Sequence, residues 1–127
     1  MNGQLHRVVV TGIGVVSPVG NTLDETWNNL VNGVNGIAPI TLFDTTDYKA
    51  KVAGEVKNFE PRDYMSKQEI LRSDRFSQLA MAAAVQAVEE SGVIGTAAPE
   101  RMGVYFGSGI GGINTMTKEH QKLLAKG

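Results

Sequence analysis

The sequence predicts an α/β fold, with helices layered on a mostly parallel sheet. Three observations carry that expectation. Val8–Thr11 is a short β-branched run broken by Gly12 and Gly14, the pattern of a strand buried on both faces. Residues 74–91 repeat apolar side chains at helical spacing, and Leu79–Val85 is apolar all round. Met102–Phe106 is a second strand-like run, followed by a glycine-rich turn and then a further helical pattern.

The elements follow in order. After the first run, Ser17-Pro18-Val19-Gly20-Asn21 reads as a loop, because Pro18 disfavours helix at Ser17. Thr22 and Glu25 then stand at capping-box spacing. Trp27, Leu30 and Val31 continue at helical intervals, and Gly33 supplies a stop. Gly36 to Asp47 reads as a surface excursion, and Val52–Val56 as a strand with Gly54 at a bulge or close approach. Ser66 and Glu69 form a second capping box for a short helix. The long helix starts at Asp74 and stops at Gly92, and its four alanines between 80 and 84 leave room for close packing. An all-round apolar helix needs covering layers, so exposed apolar patches are expected if these 127 residues stand alone. The last helix spans Ile113–Lys126, with Ile113, Met116 and Leu123 expected to face inward.

Composition narrows the function. Thirteen acidic residues against twelve basic give a net charge of −1, which argues against a nucleic-acid-coating or polybasic membrane protein. The chain has no cysteine, so no thiolate nucleophile, disulfide or thiolate metal site arises within it. His6 and His120 are far apart and lack metal-ligand spacing, so no metal site is expected. The apolar runs fall short of the roughly 18 residues that a membrane helix needs.

Gly107-Ser108-Gly109-Ile110-Gly111-Gly112 satisfies a dinucleotide fingerprint, after a strand-like run and before a helix. Against nucleotide binding, no acidic ribose partner follows about 20 residues on. The competing reading is a tight turn whose glycines permit close packing. Ser108 does not match the GxSxG elbow, and no histidine stands beside it in sequence. The acidic pairs Asp24/Glu25 and Glu89/Glu90 read as capping or solvated groups, and His120 as an ordinary helix residue. Lys67, Arg72 and Arg75 cluster around the short helix and, on charge alone, read as a solvated face.

Arg7 to Asn21, Trp27, Gly36-Ile37, Phe43-Asp44, Asp74-Arg75-Phe76 and Gly107–Gly112 occur in an order and spacing that resemble the β-ketoacyl-[acyl-carrier-protein] synthases. The type II elongating enzymes of fatty acid synthesis are the nearest in pattern. The resemblance implies a thiolase-like layered α/β/α fold, incomplete here, and residues 1–127 are expected to be part of the N-terminal domain with no second domain. It implies a cytoplasmic homodimer that condenses acyl and malonyl thioesters carried by acyl carrier protein, without a metal or nicotinamide cofactor. A cysteine thiolate takes the acyl chain, malonyl carrier protein loses carbon dioxide, and the resulting carbanion attacks the acyl thioester. The family's cysteine, histidines and lysine match no position here, so no catalytic residue is carried over, and the chain alone is expected to be inactive. Two roles are carried over. Ile110 matches the isoleucine that lines the acyl-chain pocket, and Lys67 and Arg72 match the region where the acidic carrier protein docks. Gln68, Ile70 and Leu71 depart from the more basic family pattern there. A chain-length-factor-like paralogue, which partners an active synthase without catalysing, is the alternative.

Overall fold

The computed structural model describes residues 7–127, so His6 lies outside the described residues. In chain order the elements are α1 (Leu23–Val31), β1 (Ile37–Pro39), β2 (Val52–Gly54), α2 (Lys67–Leu71), α3 (Arg75–Ser91) and α4 (Ile113–Lys126). Single 3₁₀ turns at Pro61–Asp63 and Pro99–Arg101 precede α2 and follow α3.

The helix ends follow the local chemistry of the sequence. The Thr22 hydroxyl accepts the Glu25 N–H at 3.2 Å. The Glu25 carboxylate reaches back one residue further than a standard box, to the Asn21 N–H at 2.7 Å. At the other end the Val34 and Gly33 amides donate to the Asn29 and Leu30 carbonyls, a Schellman closure. The apolar side chains of α1 face water, with Trp27 65% exposed. A polar contact fixes this helix instead: buried Thr26 donates its hydroxyl to the Gly20 carbonyl at 3.2 Å. That carbonyl also accepts the Ser17 N–H at 2.8 Å, closing Pro18-Val19 into a tight turn. In α2 both halves of the Ser66/Glu69 capping box form.

The centre of the molecule is α3. The segment Gly12–Val15 lies along it, held by two side chains one helical turn apart. Gln86 accepts the Val15 N–H at 3.1 Å, and Glu90 accepts the Ile13 N–H. The fit is geometric: an i,i+4 step rises about 6 Å along a helix, close to the span of two residues in an extended chain. Glycine is required at this contact. A Cβ on Gly14 would stand 1.8 Å from the Ala83 carbonyl oxygen, and one on Gly12 2.2 Å from that of Ala87. Gln86 also donates to the Asn21 carbonyl at 2.8 Å and lies 3.3 Å from the Tyr64 hydroxyl, so one amide joins three segments.

Several expectations are corrected here. Val8–Thr11 joins no ladder and is not buried, with Val8 92% exposed. Met102–Phe106 likewise has no strand partner, and Tyr105 is fully exposed. Both runs have strand composition, but a ladder needs a partner strand, and neither run is paired with one among the described residues. The ladder that does form is antiparallel, pairing Ile37 with Gly54, Ala38 with Ala53 and Pro39 with Val52. Its first strand falls inside the stretch read as a surface excursion, and its second is shorter than Val52–Val56. Only Ala82 of α3 is fully buried, and Ile113, Met116 and Leu123 of α4 face water rather than inward.

The Gly14 contact yields a direct test. Gly14→Ala places a methyl group against helix backbone that cannot yield. Overpacking of this kind costs roughly 1–3 kcal/mol, and a backbone obstacle belongs at the upper end. Urea denaturation should show a lowered midpoint with Gly14→Ala, whereas Gly103→Ala, where a Cβ meets nothing within 4 Å, should leave the midpoint unchanged.

Candidate functional site

The glycine loop Gly107–Gly112 runs beside the first half of α3. Val16, Phe76, Leu79, Ala80, Ala83, Phe106, Gly107 and Ser108 enclose an open concavity of about 290 Å³. None of these side chains titrates near neutrality, so the concavity can hold apolar matter but supplies no acid or base. A second hollow, of about 280 Å³, shares Phe76 and Leu79 and is completed by Asp74, Arg75 and residues 111–114. Ile110 stands in the chain between the two lining stretches and is 75% exposed.

The tail of the loop is pressed onto the start of α3. Gly111 and Gly112 have φ of +60° and +43°, a region disfavoured for residues with a Cβ. A Cβ on Gly111 would lie 3.1–3.4 Å from the Phe76 ring, and one on Gly112 3.0 Å from the Asp74 carboxylate. The Asp74-Arg75-Phe76 and glycine-loop motifs, far apart in sequence, thus form one surface. The fingerprint reading loses its context, because Phe106 ends no paired strand among the described residues. Ser108 is exposed, and His120 lies on the exposed surface of α4.

Lys67 and Arg72 bracket α2, the first as its opening residue and the second as its C-cap. Both are exposed, and among the described residues neither is in an ion pair. Arg75, the third member of the sequence cluster, is separated from them by its contacts. Its guanidinium lies 5.1 Å from the centre of the Phe59 ring and donates to the Val56 carbonyl at 3.3 Å. Residues 60–75 hold four basic and four acidic side chains, so this segment carries no net charge. These charges differ in how they are engaged. Arg62 is 3.9 Å from Glu60, whereas Glu69 is turned into the α2 cap. Exposed Leu71 lies next to Arg72. Gln78 of α3 fastens the end of α2, donating to the Ser73 carbonyl at 3.1 Å and the Ile70 carbonyl at 3.4 Å. Among the described residues no group of three or more His, Asp or Glu side chains is placed to hold a metal ion.

The family model described as the beta-ketoacyl synthase N-terminal domain matches residues 5–127. The chain belongs to the beta-ketoacyl synthase family. It is 46% identical over 125 residues to 3-oxoacyl-[acyl-carrier-protein] synthase 2 of Staphylococcus aureus strain COL, covering 98% of this chain and 30% of that protein. It is also 46% identical over 123 residues to the Vibrio cholerae serotype O1 protein of the same name, covering 96% of this chain and 30% of that one. The chain therefore spans about 30% of the length of these curated relatives. A solved structure of the ishigamide ketosynthase/chain length factor aligns with a TM-score of 0.70 at 29% identity, over 92% of this chain and 30% of that one. The likeness to a ketosynthase gives this synthase domain the thiolase-like fold class that its motifs implied.

Sequence reasoning missed Gln86 and Thr115. Gln86 carried a signal, as the one polar side chain within the apolar stretch Leu79–Val88. Thr115 carried none.

The α2 cap generates a pH prediction. The Ser66 hydroxyl and then the Ser66 N–H, both bonded to its carboxylate, hold Glu69 below its ordinary value of 4.5. Because the folded value is the lower one, the cap is complete above 4.5 and is lost as pH falls through the folded value. The Glu69 side-chain carboxyl resonance should titrate with a midpoint below 4.5, and Ser66→Ala should return it upward.

Proposed function

We propose that this chain is the acyl-pocket and carrier-docking part of a 3-oxoacyl-[acyl-carrier-protein] synthase that lengthens fatty acyl chains. The observation that carries the reading is the apolar concavity between the glycine loop and α3, in a chain of this family whose relatives are named for that activity. Elongation needs an apolar slot for the acyl tail, and each methylene buried contributes about 0.8 kcal/mol. The thiolate that takes the acyl group is not supplied by these 127 residues, which contain no cysteine. In the condensation malonyl carrier protein releases carbon dioxide, and the carbanion left behind attacks the acyl thioester. The thiolate departs, and a β-ketoacyl carrier protein two carbons longer remains. Preorganised donors aimed at the thioester oxygen stabilise the charge that develops there. The full-length protein acts in the cytoplasm as a homodimer.

A second reading has a specific observation behind it, since the aligned structure is named for a chain length factor beside a ketosynthase. In that reading the protein partners an active synthase and does not itself condense. Acyl transfer from acyl carrier protein to a cysteine of the full-length protein, detected by intact mass, supports the synthase. Its absence with retained binding to a ketosynthase supports the partner.

Two residues test the assigned roles. Ile110→Phe in the full-length protein should shorten the acyl chains accepted, because the ring occupies the space of several methylenes. The loss in kcat/KM should grow with chain length when short, medium and long acyl carrier proteins are compared. A uniform loss with a lowered melting temperature would mean that Ile110 is packing rather than pocket wall. Reversing charge at Lys67 and Arg72 together should slow association with acyl carrier protein and blunt its salt dependence, with little change in stability. Stopped-flow binding at two ionic strengths reads this, and an unchanged response would reduce the pair to a solvated face.

A further inference from the structure

Asp74 begins α3 without capping it. Its backbone has the extended geometry of an N-cap residue (φ −78°, ψ 162°), yet its carboxylate bonds none of the free amides of that helix. The carboxylate accepts instead from the Thr115 hydroxyl, 2.7 Å away and 41 residues later, in the first turn of α4. Among the described residues this is the sole side-chain hydrogen bond from α4 to a residue outside it, and all of α4 is exposed. Gly111 and Gly112 lie between, against the Phe76 ring and the second carboxylate oxygen of Asp74. The loop that carries Ile110 is thus fastened at its downstream end by one charge-assisted bond. Without it, the glycines leave the loop little to hold its shape.

We propose that Asp74 and Thr115 are a positioning pair that fixes the Gly107–Gly112 loop and thereby sets how sharply the full-length protein discriminates acyl chain lengths. The inference rests on the reading of Ile110 as pocket wall. Neither residue touches the acyl chain; each acts through the loop. A wall selects by length only if it stays in place when a longer chain presses on it, and the clasp supplies that resistance. Its position adds a second consequence. Asp74 follows directly on Ser73, whose carbonyl Gln78 ties to α3, so the clasp begins where the carrier-docking helix ends.

The test uses the full-length protein with Thr115→Val, which removes the hydroxyl at an exposed site, Thr115→Ser, which keeps it, and Asp74→Ala. Ile110→Phe is run beside them. Hydrogen exchange of the peptide spanning residues 107–116 should quicken in Thr115→Val and Asp74→Ala and return to the parent rate in Thr115→Ser. The ratio of kcat/KM between the best and worst acyl lengths should fall on the order of tenfold in the same two variants, as expected when a group is released from its working position. The double variant Asp74→Ala/Thr115→Val should be no worse than Asp74→Ala alone. Unchanged exchange in Thr115→Val would overturn the clasp. Faster exchange with an unchanged length ratio, while Ile110→Phe alters that ratio, would overturn the role in selection and leave the pocket reading standing. A flat length profile in Ile110→Phe itself would remove the pocket reading and the inference with it.

Discussion

At Gly14 the backbone comes so near α3 that a single methyl group would stand 1.8 Å from the Ala83 carbonyl oxygen. The described structure depends on that approach. It brings the amides of Ile13 and Val15 within reach of Glu90 and Gln86, which satisfy them without a neighbouring strand. It also sets Val16 among the residues that, with Leu79 and Ala83, line the apolar concavity. Alanine on the helix and glycine on the segment are two halves of one steric condition. Removing side-chain volume from both partners allows main chain to pack on main chain, at the cost of apolar burial elsewhere.

Local chemistry was legible in the sequence because it closes over three or four residues. The Thr22 cap and the Ser66/Glu69 box are decided by side chains that meet nearby backbone, and the stops at Gly33 and Gly92 by backbone that turns left-handed where glycine permits it. Contacts that span long stretches of chain were not legible. Gln86 reaches Asn21 across 65 residues, and nothing around either residue announces the pairing. The valine run and the run at Met102–Phe106 failed as strands for a related reason. Composition states what a segment can pair with, and pairing requires a partner in place. The strand at Ile37–Pro39 was missed because three residues ending in proline carry almost no periodic signal.

The candidate site shows the same division. The glycine loop was found from its motif, and its turn is explained by the positive φ of Gly111 and Gly112. What the loop rests on was invisible, since Phe76 and Asp74 look, in sequence, like an apolar helix position and a helix cap. Structure gives Asp74 a different task and leaves α3 uncapped by a side chain. The basic cluster also resolves into parts, with Arg75 held over Phe59 and Lys67 and Arg72 left to solvent.

The long span of the Gly12–Val15 contact has a consequence in time. Capping boxes and the short hairpin close small loops and so form early, whereas joining Ile13 to Glu90 closes a loop of 77 residues. Until that closure the alanine-rich flank of α3 is bare, and with the valine run, which stays exposed in the folded structure, it offers apolar surface to any other chain nearby. Intramolecular closure does not depend on concentration, whereas encounters between chains do. The yield of folded protein is therefore set by how crowded the nascent chains are before residue 90 has been made and brought back to residue 13.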